Sequence, residues 1–134
     1  MKLLTNHFIV RYYERVLGHT DLVNVQMKDS EKREWYEEVY GIGSEEVLRK
    51  FSTFTYHYSL TYLGGRKLRV IVNDGGSKYY HLILVLVKSA EIVPLTLYEI
   101  ELDIFLTHPH DYIDFTTLMM RCKKVAKIFR ELTT

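Results

Sequence analysis

The spacing of apolar residues changes from a helical to a strand period near the middle of the chain, and this change limits the fold more than any other feature. Between Thr5 and Leu17 the apolar side chains gather on one side of a helix. Between Thr53 and Tyr62 every second residue is apolar, as in a half-buried strand. The sequence therefore predicts helices first and an antiparallel sheet after them.

Capping residues predict the ends of three N-terminal helices. Gly18 is a natural end for the first helix because glycine adopts the left-handed conformation that closes a helix. Ser30 is a good N-cap for a second helix, which ends at Gly41. Ser44 is a good N-cap for a third helix, with acidic residues in its first turn.

The next strand, Arg66 to Asn73, favours one hairpin register. A two-residue turn at Gly64 and Gly65 would mix apolar and polar side chains on both faces. A three-residue loop of Leu63, Gly64 and Gly65, with Gly65 left-handed, makes one face apolar. The pairs predicted by this loop are Leu60 with Leu68, Tyr58 with Val70 and Tyr56 with Val72.

The remaining patterns complete an α+β fold. The continuous apolar run within Lys78 to Lys88 predicts a central strand, and the alternation within Thr96 to Leu106 predicts a strand near an edge, with Tyr98 inward. After it, Asp111 can cap a helix whose apolar stripe includes Cys122. The prediction is a single α+β domain, residues 1–134, with N-terminal helices, an antiparallel meander of about four strands and a long C-terminal helix.

Composition excludes several classes of protein. A hydrophobic content of 47% with 11 Tyr excludes a disordered chain, and a net charge of +1 gives no general affinity for nucleic acid. The single Cys122 cannot form an internal disulfide, and the apolar run at the N-terminus is interrupted before a signal peptide could form. We therefore expect a cytoplasmic protein without a membrane span.

The first helix carries a row of polar side chains with the pattern H-x-x-x-R-x-x-E-R, formed by His7, Arg11, Glu14 and Arg15. Arg11 and Arg15 could bind adjacent phosphate oxygens while His7 acts as a general acid or base. The alternative is an ordinary solvated helix face, on which Arg11 and Glu14 form a surface ion pair.

The polar face of the predicted hairpin is a second candidate site. It places His57 with Arg69 and Lys67, and an odd-length turn at residues 74–76 would add His81 beside Arg69. As on the first helix, these groups could bind a phosphate and transfer a proton, although histidines in tyrosine-rich strands commonly form structural hydrogen bonds instead.

The last helix is rich in basic residues, among them Lys123, Lys124 and Lys127. They could bind RNA phosphates, or they could simply complement the dipole of the helix. His108 and His110 flank a proline, but the chain has no Cys pair and no H-E-x-x-H motif, so no metal or other cofactor is predicted.

The first helix and the hairpin together support a family resemblance. The segments are NHFIVRYYERV, YSLTYLGGRKLRVIV and HLILVLV. In this order they resemble the RelE/BrnT-like ribonuclease toxins and the RegB-type phage endoribonucleases, up to about residue 88. The resemblance implies cleavage of single-stranded RNA without a metal. His7 or His57 would then be the acid or base, and Arg11, Arg15 and Arg69 would contact the phosphate.

A non-catalytic function is the alternative. A small regulator or inhibitor encoded by a phage or plasmid could bind a host protein, acting as a homodimer. Trp35, Tyr36 and Tyr40 on the short acidic helix could anchor such an interface, because aromatic residues are enriched at interfaces. Packing of these rings in the core is the competing interpretation.

Overall fold

A computed structural model describes residues 4–57, 60–86, 92–100 and 111–133 of the chain. This part contains four helices and a six-stranded antiparallel sheet, so the predicted α+β class is confirmed. None of its helices combines the length and the apolar character needed to cross a bilayer.

The three N-terminal helices are α1 (Asn6–Arg15), α2 (Asp29–Tyr40) and α3 (Ser44–Ser52). Thr5 caps α1, because its hydroxyl accepts a hydrogen bond from the Phe8 backbone N–H at 3.1 Å. Gly41 ends α2 with a left-handed φ of 73°, as predicted. The predicted serine caps are wrong by one or two residues: Lys28 and Gly43 occupy the N-cap positions of α2 and α3.

The strands are β1 (Thr55–His57), β2 (Thr61–Gly64), β3 (Lys67–Asn73), β4 (Tyr79–Leu86), β5 (Ile92–Ile100) and β6 (Tyr112–Ile113). Their order in the sheet is β5-β4-β3-β1-β6, and β2 pairs with β3. The prediction of about four strands is wrong for two reasons. The first predicted strand is divided into β1 and β2, and β6 was not predicted.

The hairpin register is partly as predicted. Tyr56 pairs with Val72, but Leu68 pairs with Tyr62 instead of Leu60, and residue 58 of the third predicted pair lies outside the described residues. The turn consists of Gly65 and Arg66, with φ of 57° and 63°, which matches the two-residue hairpin turn that suits twisted strands. A register shift between Tyr62 and Gly64 reconciles this short turn with the alternation of the strands.

One side of the sheet, the inner face, forms the core with the helices. It carries the buried side chains of Tyr56, Leu68, Val70, Val72, Tyr80, Leu82, Leu84 and Leu97. Ring contacts connect α1 to this face through α3: the ring centroids are 5.6 Å apart for Phe8 and Phe51, and 5.7 Å apart for Phe51 and Tyr56. The helix α2 packs against α1. The opposite side of the sheet is called the outer face below.

A second irregularity changes the orientation of β5. Leu84 pairs with Pro94 and Ile83 with Thr96, so the register shifts by one residue within β5. Leu97 is therefore buried and Tyr98 is 41% exposed, which makes the predicted inward position of Tyr98 wrong. As predicted, β5 lies at an end of the sheet; the part of the predicted strand beyond residue 100 lies outside the described residues.

The C-terminal helix, α4 (Phe115–Thr133), begins later than predicted and is correspondingly shorter. Its N-cap is Asp114, and not the predicted Asp111. The Asp114 carboxylate accepts a hydrogen bond from the Thr117 backbone N–H at 2.7 Å. Leu118 and Cys122 are buried. Burial raises the pKa of the Cys122 thiol to about 12, which fits its predicted role as a core residue.

Candidate functional site

The polar row of α1 is held by contacts within the protein. Nδ1 of His7 lies 3.0 Å from Oδ2 of Asp29, at the start of α2. Arg11 donates a hydrogen bond to the Glu14 carboxylate at 2.7 Å. Arg15 donates to the Leu97 carbonyl oxygen at 2.6 Å. Each candidate on this helix therefore has a structural contact.

Glu14 is the most deeply placed member of this row. Its side chain is only 4% exposed, because α2 packs against the side of α1 that the helical pattern predicts to be solvated. Its second oxygen, Oε2, lies 3.2 Å from the hydroxyl of Tyr36, which in turn accepts a hydrogen bond from the Leu22 backbone N–H at 3.1 Å. Arg11 and Glu14 thus connect α1 to α2 and to the loop between them.

The outer face of the sheet brings a different set of residues together. Cross-strand pairing places Tyr112 of β6 beside His57 of β1. Farther across the sheet, Ile71 of β3 pairs with His81 of β4, and His81 pairs with Tyr98 of β5. His57 is the next residue after Tyr56, which pairs with Val72, so the same register brings His57 opposite Ile71. We call Tyr112, His57, Ile71, His81 and Tyr98 the outer row.

Each imidazole of the outer row contacts a tyrosine ring. The centroids are 5.6 Å apart for His57 and Tyr112, and 5.2 Å apart for His81 and Tyr98. His57 and His81 are separated by the single strand β3. At about 4.8 Å between neighbouring strands, their Cα atoms are about 10 Å apart. The Ile71 side chain lies between the two imidazoles, so a phosphate in contact with both would lie over Ile71.

Positive charge lies on the same face. Arg69 of β3 pairs with Ile83, which lies two residues after His81 in β4. Lys67 is the next residue of β3 on the same face, and its side chain is exposed. Burial, and then the charge of Arg69, hold the pKa of His81 below its ordinary value. The uncharged form of His81 is therefore favoured. Its Nδ1 atom is buried, so Nε2 is the nitrogen through which it would exchange a proton with a ligand.

The two predicted sites are separate in the structure. The outer row lies on one side of the sheet, whereas α1, with His7 and Arg11, packs on the inner face. Arg15 alone approaches the outer row, because it reaches β5 and lies within electrostatic range of Tyr98. The basic residues of α4, Lys123, Lys124 and Lys127, are exposed on a helix that packs against the inner face.

The aromatic residues of α2 are packed more deeply than an interface requires. Tyr36 is fully buried and stacks on Tyr13 with centroids 5.1 Å apart, so the prediction that Tyr36 is an exposed anchor is wrong. Trp35 and Tyr40 are half-buried and pack against the core. Tyr40 also stacks on His19 at 3.6 Å.

Two features of the site were missed from the sequence. The sequence predicts Tyr98 on the inner side, and the predicted cap at Asp111 places Tyr112 in the first turn of the last helix instead of in a strand. Neither the β5 irregularity nor a strand as short as β6 leaves a periodic signal.

No group of three or more His, Cys, Asp or Glu side chains suited to a metal occurs in the described ranges, and His108 and His110 fall outside them. Comparisons of the chain with protein-family models, curated proteins and solved structures gave no match.

Proposed function

We propose that the protein is a metal-independent endoribonuclease that cleaves single-stranded RNA on the outer face of its sheet. The observation that supports this proposal is the placement of His57 on β1 and His81 on β4, on the same face of the sheet. The strand between them is β3, which carries Arg69 on that face. Two imidazoles on either side of a phosphate, with a guanidinium beside them, provide an acid, a base and a charge partner.

The two histidines take the roles of base and acid in a transfer within the RNA strand. His81, whose lowered pKa favours the uncharged form, accepts the proton of the ribose 2′-hydroxyl. The 2′-oxygen attacks phosphorus, the bond from phosphorus to the 5′-oxygen breaks, and His57 donates a proton to that leaving oxygen. The products are a 2′,3′-cyclic phosphate and a 5′-hydroxyl. Arg69 binds the negative charge that builds up on the phosphate oxygens, and Lys67 contacts the RNA backbone farther along β3.

The deciding experiment separates the outer row from the polar row of α1. Labelled single-stranded RNA is incubated in EDTA with the wild-type protein and with His57→Ala, His81→Ala and His7→Ala variants, and the products are resolved on a denaturing gel. We expect a loss of about 100-fold or more in rate for each outer-row variant, because proton transfer contributes that much. His7→Ala is expected to retain activity, because His7 contacts Asp29 away from the sheet.

Two results would contradict this proposal. Loss of cleavage in His7→Ala with retention in His57→Ala would move the catalytic site to α1, as the family resemblance also allows. Intact RNA with every folded protein would exclude the enzyme and favour the alternative, a protein-binding regulator. On the helix that this alternative uses, Val39 lies one turn after Trp35 and is 52% exposed. Sedimentation velocity would test the expected homodimer directly.

A further inference from the structure

We infer that Tyr98 is a specificity-determining residue, on which the base of the nucleotide that supplies the 2′-hydroxyl stacks. This inference rests on the proposed function, since it assigns one subsite of the same outer row. The expected ligand is a single-stranded RNA. The base immediately 5′ of its cleaved bond is unstacked from the neighbouring bases, so it can stack on an aromatic ring.

The exposure of Tyr98 is the first support. Five other tyrosines, Tyr12, Tyr13, Tyr36, Tyr56 and Tyr80, are at most 1% exposed, whereas Tyr98 is 41% exposed. The register shift in β5 is what turns this ring outward. Exposed rings on a sheet serve proteins that bind single strands, because any base can stack on an aromatic face.

The position of Tyr98 relative to the proposed base is the second support. Its ring centroid is 5.2 Å from that of His81, and the two residues pair directly across β4 and β5. The residue that takes the 2′-hydroxyl proton must lie beside the nucleotide on the 5′ side of the cleaved bond. The base of that nucleotide is therefore the one nearest to Tyr98.

A neighbouring cation is the third support. Arg15 is fixed at the same end of the outer row, because its guanidinium donates to the Leu97 carbonyl oxygen at 2.6 Å and to the Thr96 hydroxyl at 3.3 Å. It lies within electrostatic range of Tyr98. An aromatic ring with a guanidinium beside it can hold a base and the adjoining phosphate together.

Tyr62 provides a matched control. It is 55% exposed, but it pairs with Leu68, whose side chain belongs to the inner face. Tyr62→Leu therefore removes a ring that is more accessible than Tyr98 and lies on the other side of the sheet. Tyr98→Leu removes the proposed stacking ring, and Tyr98→Phe restores a ring without the hydroxyl.

The experiment is a cycle that combines protein variants with altered substrates. Each substrate is a DNA strand with one ribonucleotide, so that cleavage occurs at one bond, and the ribonucleotide either has its base or is abasic. We expect Tyr98→Leu to raise KM by roughly 5- to 100-fold on the complete substrate, with kcat nearly unchanged. Tyr98→Phe should recover most of the affinity, and Tyr62→Leu should match the wild type. On the abasic substrate, Tyr98→Leu and the wild type should have equal KM.

Several results would overturn the inference. An equal effect of Tyr98→Leu on both substrates, an effect confined to kcat, or the same loss in Tyr62→Leu would each show that the ring does not stack on this base. Fluorescence anisotropy with an all-DNA strand distinguishes the two proposals, because that strand has no 2′-hydroxyl. Base-dependent binding through Tyr98 without any RNA cleavage would reject the enzyme and retain the subsite. RNA cleavage that does not change in the Tyr98 variants would retain the enzyme and reject the subsite. Failure to bind any strand would reject both the enzyme and the subsite.

Discussion

Replacing Arg11 with methionine would leave the buried carboxylate of Glu14 without its ion-pair partner. The Arg11 side chain is 28% exposed and that of Glu14 only 4%, with 2.7 Å between the paired atoms. Breaking a fully buried ion pair by removing one partner costs about 3–5 kcal/mol. Because Arg11 is partly exposed, and because Tyr36 also contacts the carboxylate, we expect about 2–3 kcal/mol.

The double variant Arg11→Met/Glu14→Leu gives the matched comparison. It removes both charges, and replacing a buried pair with apolar side chains is often nearly neutral. We therefore expect the double variant to be more stable than Arg11→Met alone, even though it carries one more substitution. Such an inversion would identify the unpaired carboxylate, and not lost packing, as the cause of the instability.

Urea unfolding at pH 7 measures this difference. Trp35 is the single tryptophan and lies on α2, next to Tyr36, so its fluorescence reports the region that the ion pair connects. A loss below about 0.5 kcal/mol in Arg11→Met, the size of an exposed helical pair, would refute the reasoning. It would mean that Arg11 and Glu14 form an ordinary surface contact and that α1 is free to use them in another way.

Three further outcomes are expected. Arg66→Gly should stabilise the protein by about 0.5–1 kcal/mol in thermal unfolding, because Arg66 has a φ of 63° that costs a non-glycine residue about 1–2 kcal/mol; an unchanged or lower Tm would contradict this. Asp114→Ala should destabilise the protein above the ordinary carboxyl pKa. The hydrogen bonds from Thr117 lower the pKa of Asp114, so its contribution should disappear as the pH falls through that lowered value, which Tm measurements from pH 7 to pH 2 would check. If His81 is the general base, the rising limb of kcat/KM against pH should have its midpoint below the ordinary histidine pKa, because the folded-state pKa is lowered; a midpoint above that value would argue against His81.

The sequence predicts those features that repeat along the chain. The alternation in β3 correctly assigns Leu68, Val70 and Val72 to the core, and the pair of Tyr56 with Val72 follows from it. The apolar side of α1 is also correct, since Phe8, Ile9, Tyr12 and Tyr13 are buried. In each case several residues of one element contribute to the same periodic signal.

Features that depend on one inserted residue or on a distant element could not be predicted. A shift of one residue in β5 is enough to exchange the positions of Leu97 and Tyr98, and nothing in the composition marks it. Glu14 is buried because α2 covers it, although its own helix places it on the polar side. The grouping of His57 with Arg69 was predicted from the hairpin, but their separation from His7 depends on the tertiary packing of α1.

The contact between Arg15 and the Leu97 carbonyl also bears on how this protein avoids aggregation. An end strand presents unpaired backbone groups to which a strand of another molecule can add. In β5, the guanidinium of Arg15 occupies one of these carbonyls and the ring of Pro94 removes one N–H donor. Strand addition at this end would have to displace a charged side chain and leave a ladder position empty. Among the described strands, the residues that shape one end of the outer row are thus also those that oppose the addition of a further strand along β5.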